Sequence, residues 1–149
     1  MRLATAAAAA AVATAAMLPA PAAQAAPFFA NYSLNVEGRY DFHTWTWSVT
    51  YCIPAVPDCA HIKAIPMPIA KAFSYIGDAH LVDGRYTLTV NVPDGLRCGN
   101  VYYGPIIPTR DVYEWDADTL RGTLTSSFAT GCGGAPGGAF TYPFSLVRL

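Results

Sequence analysis

The stretch YIGDAHLVDGRYTLTVNV, residues 75–92, places the dipeptide Asp83-Gly84 between two runs in which apolar and polar side chains alternate. Such period-two alternation is typical of β-strands with one buried face. An Asp-Gly pair between two strands is a strong hairpin signal. These residues therefore predict two adjacent antiparallel strands, at residues 72–82 and 85–92.

The same alternation extends outward from this hairpin in both directions. In residues 32–42 the aromatic and aliphatic side chains share one parity, while serine, asparagine and charged side chains share the other, which predicts a strand with one solvated face. Further strands are predicted at residues 44–51, 60–65, 111–115, 120–128 and 140–148. The pattern predicts an all-β fold, an antiparallel up-and-down meander of about eight strands that forms a small barrel or a barrel-like sandwich.

The chain is rich in material for a core, since 53% of its residues are hydrophobic and only 13% are charged. Most aromatic residues in the predicted strands share the apolar parity, and we expect them to face inward. They are Trp45, Trp47, Tyr51, Tyr75, Tyr86, Tyr113, Trp115, Phe140, Tyr142 and Phe144. The sequence allows two interpretations of this set: a packed core, or a cavity lined by aromatic rings and tyrosine hydroxyls.

The N-terminus carries the most specific motif in the sequence. Arg2 provides a short positive region, residues 3–18 form an alanine-rich apolar run, and a small-x-small cleavage site follows at residues 23–25. These features predict a signal peptide at residues 1–25 and a single secreted all-β domain at residues 26–149. The apolar run is short and rich in alanine, so no transmembrane anchor is expected after cleavage. We expect the mature protein to be secreted or to reside in the cell envelope.

Four cysteines form an even set in a chain that is predicted to be exported: Cys52, Cys59, Cys98 and Cys132. Disulfides persist outside the cytoplasm, and the lack of a C-x-x-C pair disfavours zinc. In an up-and-down meander, successive connections fall at opposite ends of the sheet. The predicted loops at residues 93–109 and 129–138 then share one end. This favours pairing of Cys52 with Cys59 and of Cys98 with Cys132.

Charge and polar motifs argue against several classes of function. The formal net charge is -1 and the charged residues are scattered, so we expect no nucleic-acid partner. Two pairs could orient a histidine base, Asp41 with His43 and Asp78 with His80. The sequence supplies no nucleophile for them, because it has no G-x-S-x-G motif and no unpaired cysteine is expected. We therefore expect no enzymatic activity, no cofactor and no metal site.

The predicted loop at residues 93–109 carries apolar and aromatic residues where polar ones are expected. One interpretation is a lid that folds over the end of the sheet and closes the core. The other is a recognition surface, since long loops at one end of a rigid scaffold commonly carry binding. On this interpretation Tyr102, Tyr103, Ile106 and Ile107 bind the ligand, which is a small apolar molecule or an envelope or host protein.

Two functional hypotheses follow from these features. The leading one is an exported, disulfide-containing, non-enzymatic binding module that uses the end with the long loops. The alternative is a structural or surface-associated protein of the cell envelope, which requires stability and needs no small ligand.

Several motifs resemble known proteins. The sequences GRY at residues 38–40, WSVTYC at 47–52, DC at 58–59 and YEWDADTLRGT at 113–123 are similar to small secreted proteins of mycobacteria and related actinobacteria. That family has no assigned activity, and the resemblance implies secretion and the Cys52–Cys59 disulfide. The strand count and the early glycine-x-aromatic motif also resemble the calycin barrels, the lipocalin and avidin group. This second resemblance implies a barrel architecture and no particular function.

Overall fold

The computed structural model describes residues 28–149, which form eight strands and two short 3-10 turns. The strands are β1 (Asn31–Val36), β2 (Thr44–Tyr51), β3 (Cys59–Met67), β4 (Tyr75–Val82), β5 (Arg85–Arg97), β6 (Ile106–Asp116), β7 (Arg121–Thr130) and β8 (Pro136–Arg148). Each strand pairs antiparallel with its neighbours in sequence, and β8 also pairs with β1. The predicted all-β meander is confirmed, and it closes into a barrel. The predicted signal peptide, residues 1–25, lies outside the described residues.

Closure depends on the antiparallel pairing of β1 and β8, in which Leu34 lies opposite Leu146 and Val36 lies opposite Phe144. Because every strand then has two partners, the sheet has no free edge at which another chain could pair. Side chains alternate between the interior and the solvent along the strands of such a barrel. Within residues 28–149, no helix is long and apolar enough to cross a membrane.

The connections fall at the two ends of the barrel as the meander requires. We call one end the closed end; its connections are residues 52–58, 83–84 and 117–120. We call the other the open end; its connections are residues 37–43, 68–74, 98–105 and 131–135. The disulfide Cys52–Cys59 spans a closed-end connection, and Cys98–Cys132 joins two open-end connections. These are the pairs that the alternation of ends favours.

The hairpin of β5 and β6 is longer than the sequence predicts. β5 continues to Arg97 and β6 begins at Ile106, so the connection covers only residues 98–105 of the loop expected at residues 93–109. The pairing shifts register after Val92, and such a bulge lets a strand continue past Pro93 without a ladder hydrogen bond.

A close approach of backbone and side chain accompanies this extension. A Cβ atom at Gly95 would lie 1.7 Å from Oγ1 of Thr109 on β6, so a larger residue would force the two strands apart. The glycine-rich hairpin of β7 and β8 is extended in a similar way. Its loop, expected at residues 129–138, covers only 131–135.

The first strand is shorter than predicted. β1 ends at Val36, and Gly38, with a φ of 79°, turns the chain out of the extended conformation. The segment 37–43 therefore crosses the open end instead of continuing as strand to residue 42. This crossing brings several polar side chains into the mouth of the barrel.

The half of the interior next to the closed end is filled by aromatic rings. Trp47 and Trp115 are fully buried, with ring centroids 5.5 Å apart. The ring centroid of Phe28 lies 5.7 Å from that of Trp115, and Phe28 closes this end of the barrel. Small residues on β4 leave room for neighbouring side chains, since a Cβ at Gly77 would lie 2.7 Å from Cδ1 of Leu88. The packed-core interpretation holds for this half.

Two of the aromatic residues expected in the interior face solvent instead. Tyr51 is 64% exposed and Phe140 is 46% exposed. Tyr51 is the last residue of β2 and Phe140 lies in the extended part of β8, where the barrel no longer encloses a core. Each packs on an aromatic neighbour, Tyr51 on Phe29 and Phe140 on Phe128.

The two disulfides should stabilise the barrel unequally, because they close loops of different length, with sequence separations of 7 and 34 residues. Chain entropy predicts that Cys98→Ser/Cys132→Ser lowers the free energy of unfolding by about 4 kcal/mol and that Cys52→Ser/Cys59→Ser lowers it by about 2.5 kcal/mol. Denaturant unfolding of the two double variants measures the difference. The reverse order would contradict this loop-length account.

Candidate functional site

An interior cavity of about 200 Å³ lies beneath the open end. Its lining comes from five strands and the crossing segment 37–43. The lining residues are Leu34, Asn35, Val36, Arg39, Asp41, His43, Thr44, Trp45, Tyr75, Val92, Asp111 and Tyr113. The wall thus combines apolar surface with two aspartates, an arginine and a histidine. In this half of the barrel, the interpretation as a cavity lined by rings and tyrosine hydroxyls holds.

A chain of hydrogen bonds runs through the aromatic wall of the cavity. Nε1 of Trp47 donates to the hydroxyl of Tyr75 over 3.0 Å, and this hydroxyl donates to that of Tyr113 over 3.0 Å. The two phenols share one hydrogen bond, so one phenolic proton has no acceptor among residues 28–149. Burial raises the pKa of Tyr75 and raises the pKa of Tyr113 to about 12. Both hydroxyls are therefore protonated at neutral pH.

A buried ion pair forms another part of the wall. Nη1 of Arg39 donates to Oδ2 of Asp111 over 3.2 Å. The other carboxylate oxygen of Asp111 accepts hydrogen bonds from Thr109 at 2.7 Å and from Ser126 at 2.5 Å. Burial opposes the charge on Arg39, but the negative charges of Tyr113, once it ionises at alkaline pH, and of Asp111 outweigh burial and raise the pKa of the guanidinium. The pair is ionised, and both oxygen atoms of Asp111 have donors.

The predicted pair of Asp41 and His43 lies at the mouth and links two connections. Asp41 accepts hydrogen bonds from the indole of Trp45 at 2.6 Å and from the backbone N–H of His43 at 2.9 Å, and Nδ1 of His43 lies 3.0 Å from the same carboxylate. Nε2 of His43 lies 2.8 Å from the carbonyl oxygen of Ala70, in the connection 68–74. Both ring nitrogen atoms of His43 therefore lie within 3.0 Å of an oxygen atom. This geometry gives the pair a positioning role at the mouth.

The second predicted pair is arranged differently. Asp78 contacts His61 on the neighbouring strand, with 2.6 Å between the carboxylate and Nδ1, and does not bond His80. Both partners are partly exposed on the outside of the barrel, where an ion pair contributes little to stability. Asp78 also lies close to Cys52 and Cys59, but these sulfur atoms are bonded to each other and offer no thiolate to a metal.

The four residues predicted to bind a ligand lie at the open end but outside the cavity lining. Tyr102 and Tyr103 contact each other edge to face, and Nζ of Lys71 lies 3.6 Å from the ring centroid of Tyr103. Ile106 and Ile107 are the first residues of β6, on the extended hairpin. The structure therefore brings the two tyrosines together at the rim and places the two isoleucines on a strand.

The residues that the sequence singles out do not include the Arg39–Asp111 pair. Asp111 shares the parity of Tyr113 and Trp115, so a charged residue at an inward position of β6 is a signal that could have found it. Arg39 carries no such signal, because its place in the mouth depends on the turn at Gly38.

A wider groove of about 610 Å³ lies on the outside of the barrel, across β5, β6 and β7. Its lining is mostly apolar and includes Pro93, Pro108 and Phe128. This groove is more open to solvent than the interior cavity, and the cavity presents convergent polar groups with fixed hydrogen-bond partners. The interior cavity is therefore the candidate site.

Comparisons of this chain with models of protein families, with curated proteins and with solved structures find no match. The fold and the site define a small, disulfide-linked, closed β-barrel with a polar cavity at one end.

Replacement of Asp111 tests the energetic importance of the buried ion pair. Asp111→Ala leaves the guanidinium of Arg39 buried without its counterion, so the free energy of unfolding should fall by roughly 3–5 kcal/mol. Asp78→Ala removes the exposed partner of His61 and should lower it by less than about 1 kcal/mol. Denaturant unfolding measures both changes. Similar losses in the two variants would contradict the importance assigned to the Arg39–Asp111 pair.

Alkaline pH should destabilise the barrel through its buried phenols. A tyrosine in the unfolded chain ionises near pH 10, whereas Tyr113 stays protonated in the barrel until about pH 12. The unfolded state therefore loses its protons first, and the free energy of unfolding falls by about 1.4 kcal/mol per pH unit in this window for each such tyrosine. Tyr113→Phe should reduce the slope measured by denaturant unfolding. The exposed control Tyr103→Phe should not, and equal slopes in both variants would refute the assignment.

Proposed function

We propose that this protein is an exported, non-enzymatic binding module that holds a small molecule in the cavity at the open end of its barrel. The observation that carries the proposal is the cavity itself, about 200 Å³ of space lined by fixed polar groups. Protein interiors are close-packed, and voids larger than a water molecule are few. A cavity of this size in an otherwise packed barrel is best explained as a ligand site.

The walls of the open end are held by contacts that suit a preformed site. Arg97 donates to the carbonyl oxygens of Lys71 and Tyr102 and to the carboxylate of Asp94. These bonds link two of the open-end connections, and a disulfide joins the second of them to a third. A preformed site supports binding because less conformational entropy is lost when the ligand is held.

The rim of the open end is exposed and apolar, which suits an entrance for a partly apolar molecule. Three connections contribute exposed side chains to it: Tyr40, Phe42, Ile69, Phe73, Val101 and Tyr103. Tyr102 and Tyr103, from the predicted recognition segment, belong to this rim. The proposal therefore gives these two residues a role at the entrance and leaves contact inside the cavity to its lining.

Two further features support a binding role outside the cytoplasm. No serine or cysteine lines the cavity in the described part of the chain, and the ring nitrogen atoms of His43 lie beside oxygen atoms of Asp41 and Ala70 at the mouth. Two disulfides in a small domain are typical of extracytoplasmic proteins. The predicted signal peptide at residues 1–25 agrees with export.

A structural or surface-associated role in the cell envelope is the second candidate. It is favoured by the disulfide-closed connection at the closed end, where Ile53 is 96% exposed and Val56 is 53% exposed. Exposed apolar side chains on a constrained loop suit contact with another macromolecule. On this alternative, the protein stays with the cell-wall fraction and carries no small ligand.

Native mass spectrometry of the mature protein from its host tests the proposed site. We expect a bound small molecule on the wild type and its loss from Val36→Phe, because the larger side chain fills part of the cavity that Val36 lines. Val147→Phe is the matched control. Val147 lies on β8 and is 53% exposed, so this variant should keep the molecule.

Thermal unfolding of the two variants shows whether both are folded. Retention of the molecule by a folded Val36→Phe would place the ligand outside the cavity and contradict the proposal. Wild-type protein that carries no molecule and stays with the cell wall would favour the structural alternative.

A further inference from the structure

We propose that the ligand of this cavity is an uncharged molecule about the size of one substituted aromatic ring, held through a hydrogen-bond acceptor such as a carbonyl oxygen. This inference rests on the proposed binding function and adds the chemical class of the ligand. Its basis is the volume of the cavity, the charge balance of the wall, the donors that the wall leaves unused and the aromatic surface.

The volume limits the ligand to a single ring with a small substituent. A cavity of about 150 Å³ is enough to hold benzene, and this cavity measures about 200 Å³. Sites for drug-sized molecules begin near about 300 Å³. A fatty acid chain or a polycyclic molecule would exceed this volume.

The ionised groups of the wall oppose a net charge on the ligand. A ligand anion beside Arg39 would also face Asp111, which already neutralises the guanidinium. A ligand cation would face Arg39, and the carboxylates that could attract it are engaged, Asp111 by three donors and Asp41 by His43 and Trp45. A buried charge without a free counterion is unfavourable. An uncharged ligand avoids this penalty.

The wall leaves hydrogen-bond donors unused, and these select an acceptor on the ligand. One phenolic proton of the Tyr75 and Tyr113 pair has no acceptor among the described residues. Arg39 donates to Asp111 and to the carbonyl oxygen of Gly95, and a guanidinium has further N–H groups. Buried donors without acceptors are unfavourable. A ligand oxygen placed near the phenols and Arg39 would complete this network.

The remaining surface suits a planar apolar ring. The ring centroids of Trp45 and Tyr75 lie 5.5 Å apart, and those of Tyr75 and Tyr113 lie 6.0 Å apart. Leu34 and Val92 add aliphatic surface to the same cavity. Aromatic rings favour offset and edge contacts at such distances, so a ligand ring would continue this series of contacts.

Four probes of similar size separate these properties. Acetophenone carries a carbonyl acceptor, cumene has no acceptor, benzoate is an anion and benzylammonium is a cation. Calorimetric titration of the mature protein at neutral pH gives the four dissociation constants. We expect acetophenone to bind about tenfold more tightly than cumene, which is the difference that one net hydrogen bond supplies. Benzoate and benzylammonium should bind more weakly than either.

The double variant Tyr75→Phe/Tyr113→Phe tests the unused phenolic donor. Both residues must change, because a phenolic proton has no acceptor as long as either hydroxyl remains. Nε1 of Trp47 also loses its acceptor in this variant, but Trp47 does not line the cavity. The affinity for acetophenone should fall about tenfold, to that for cumene. Unchanged affinity for cumene shows that the cavity is intact. If the double variant does not fold, the comparison of acetophenone with cumene on the wild type decides the question.

The outcomes distinguish the ligand class from the proposed function. Tightest binding of benzoate or benzylammonium, or equal binding of acetophenone and cumene to the wild type, would overturn the class. If the probe that binds the wild type does not bind Val36→Phe, the cavity is still the binding site and the proposed function is supported. If none of the four probes binds but the protein retains a larger or charged molecule from the host, the proposed ligand class is wrong and the proposed binding function remains. Failure of all four with no retained molecule would overturn the proposed function itself.

Discussion

The pairing of β1 with β8 is the contact on which the other features depend. Without it, the consecutive hairpins would form an open sheet with two edges. With it, the same strands enclose an interior, and every inward side chain must fit within one circumference. Closure also leaves only two ends for the connections. The positions of both disulfides, the aromatic core and the cavity all follow from this restriction.

The enclosed interior is divided between two kinds of packing. Near the closed end, Trp47, Trp115 and Phe28 fill the space. Near the open end, Arg39 and Asp111 occupy positions where aliphatic side chains would fill the barrel without the desolvation cost of buried charge. Stability alone therefore does not account for these polar residues. The ligand contact proposed above would account for them.

The parts of the structure that could be predicted are those encoded by local pattern. Strand parity and the Asp83-Gly84 turn are sufficient for the meander, and the alternation of ends is sufficient for the disulfides. The bulge after Val92 and the turn at Gly38 depend on contacts that no local pattern contains. The site was the least predictable part, because Arg39 and Asp111 are 72 residues apart in the sequence. They meet only because the chain turns at Gly38, the hairpin bulges after Val92 and the barrel closes.

The disulfide at the open end makes the two sides of the mouth mechanically unequal. On one side, the connections 98–105 and 131–135 are joined covalently and must move together. On the other, residues 37–43 and 68–74 meet through contacts such as the hydrogen bond of His43 to Ala70. Exchange of the proposed ligand with solvent would then require displacement of the noncovalent side. The residence time of that ligand would depend on a few noncovalent contacts, whereas the disulfide-linked side would fix its orientation.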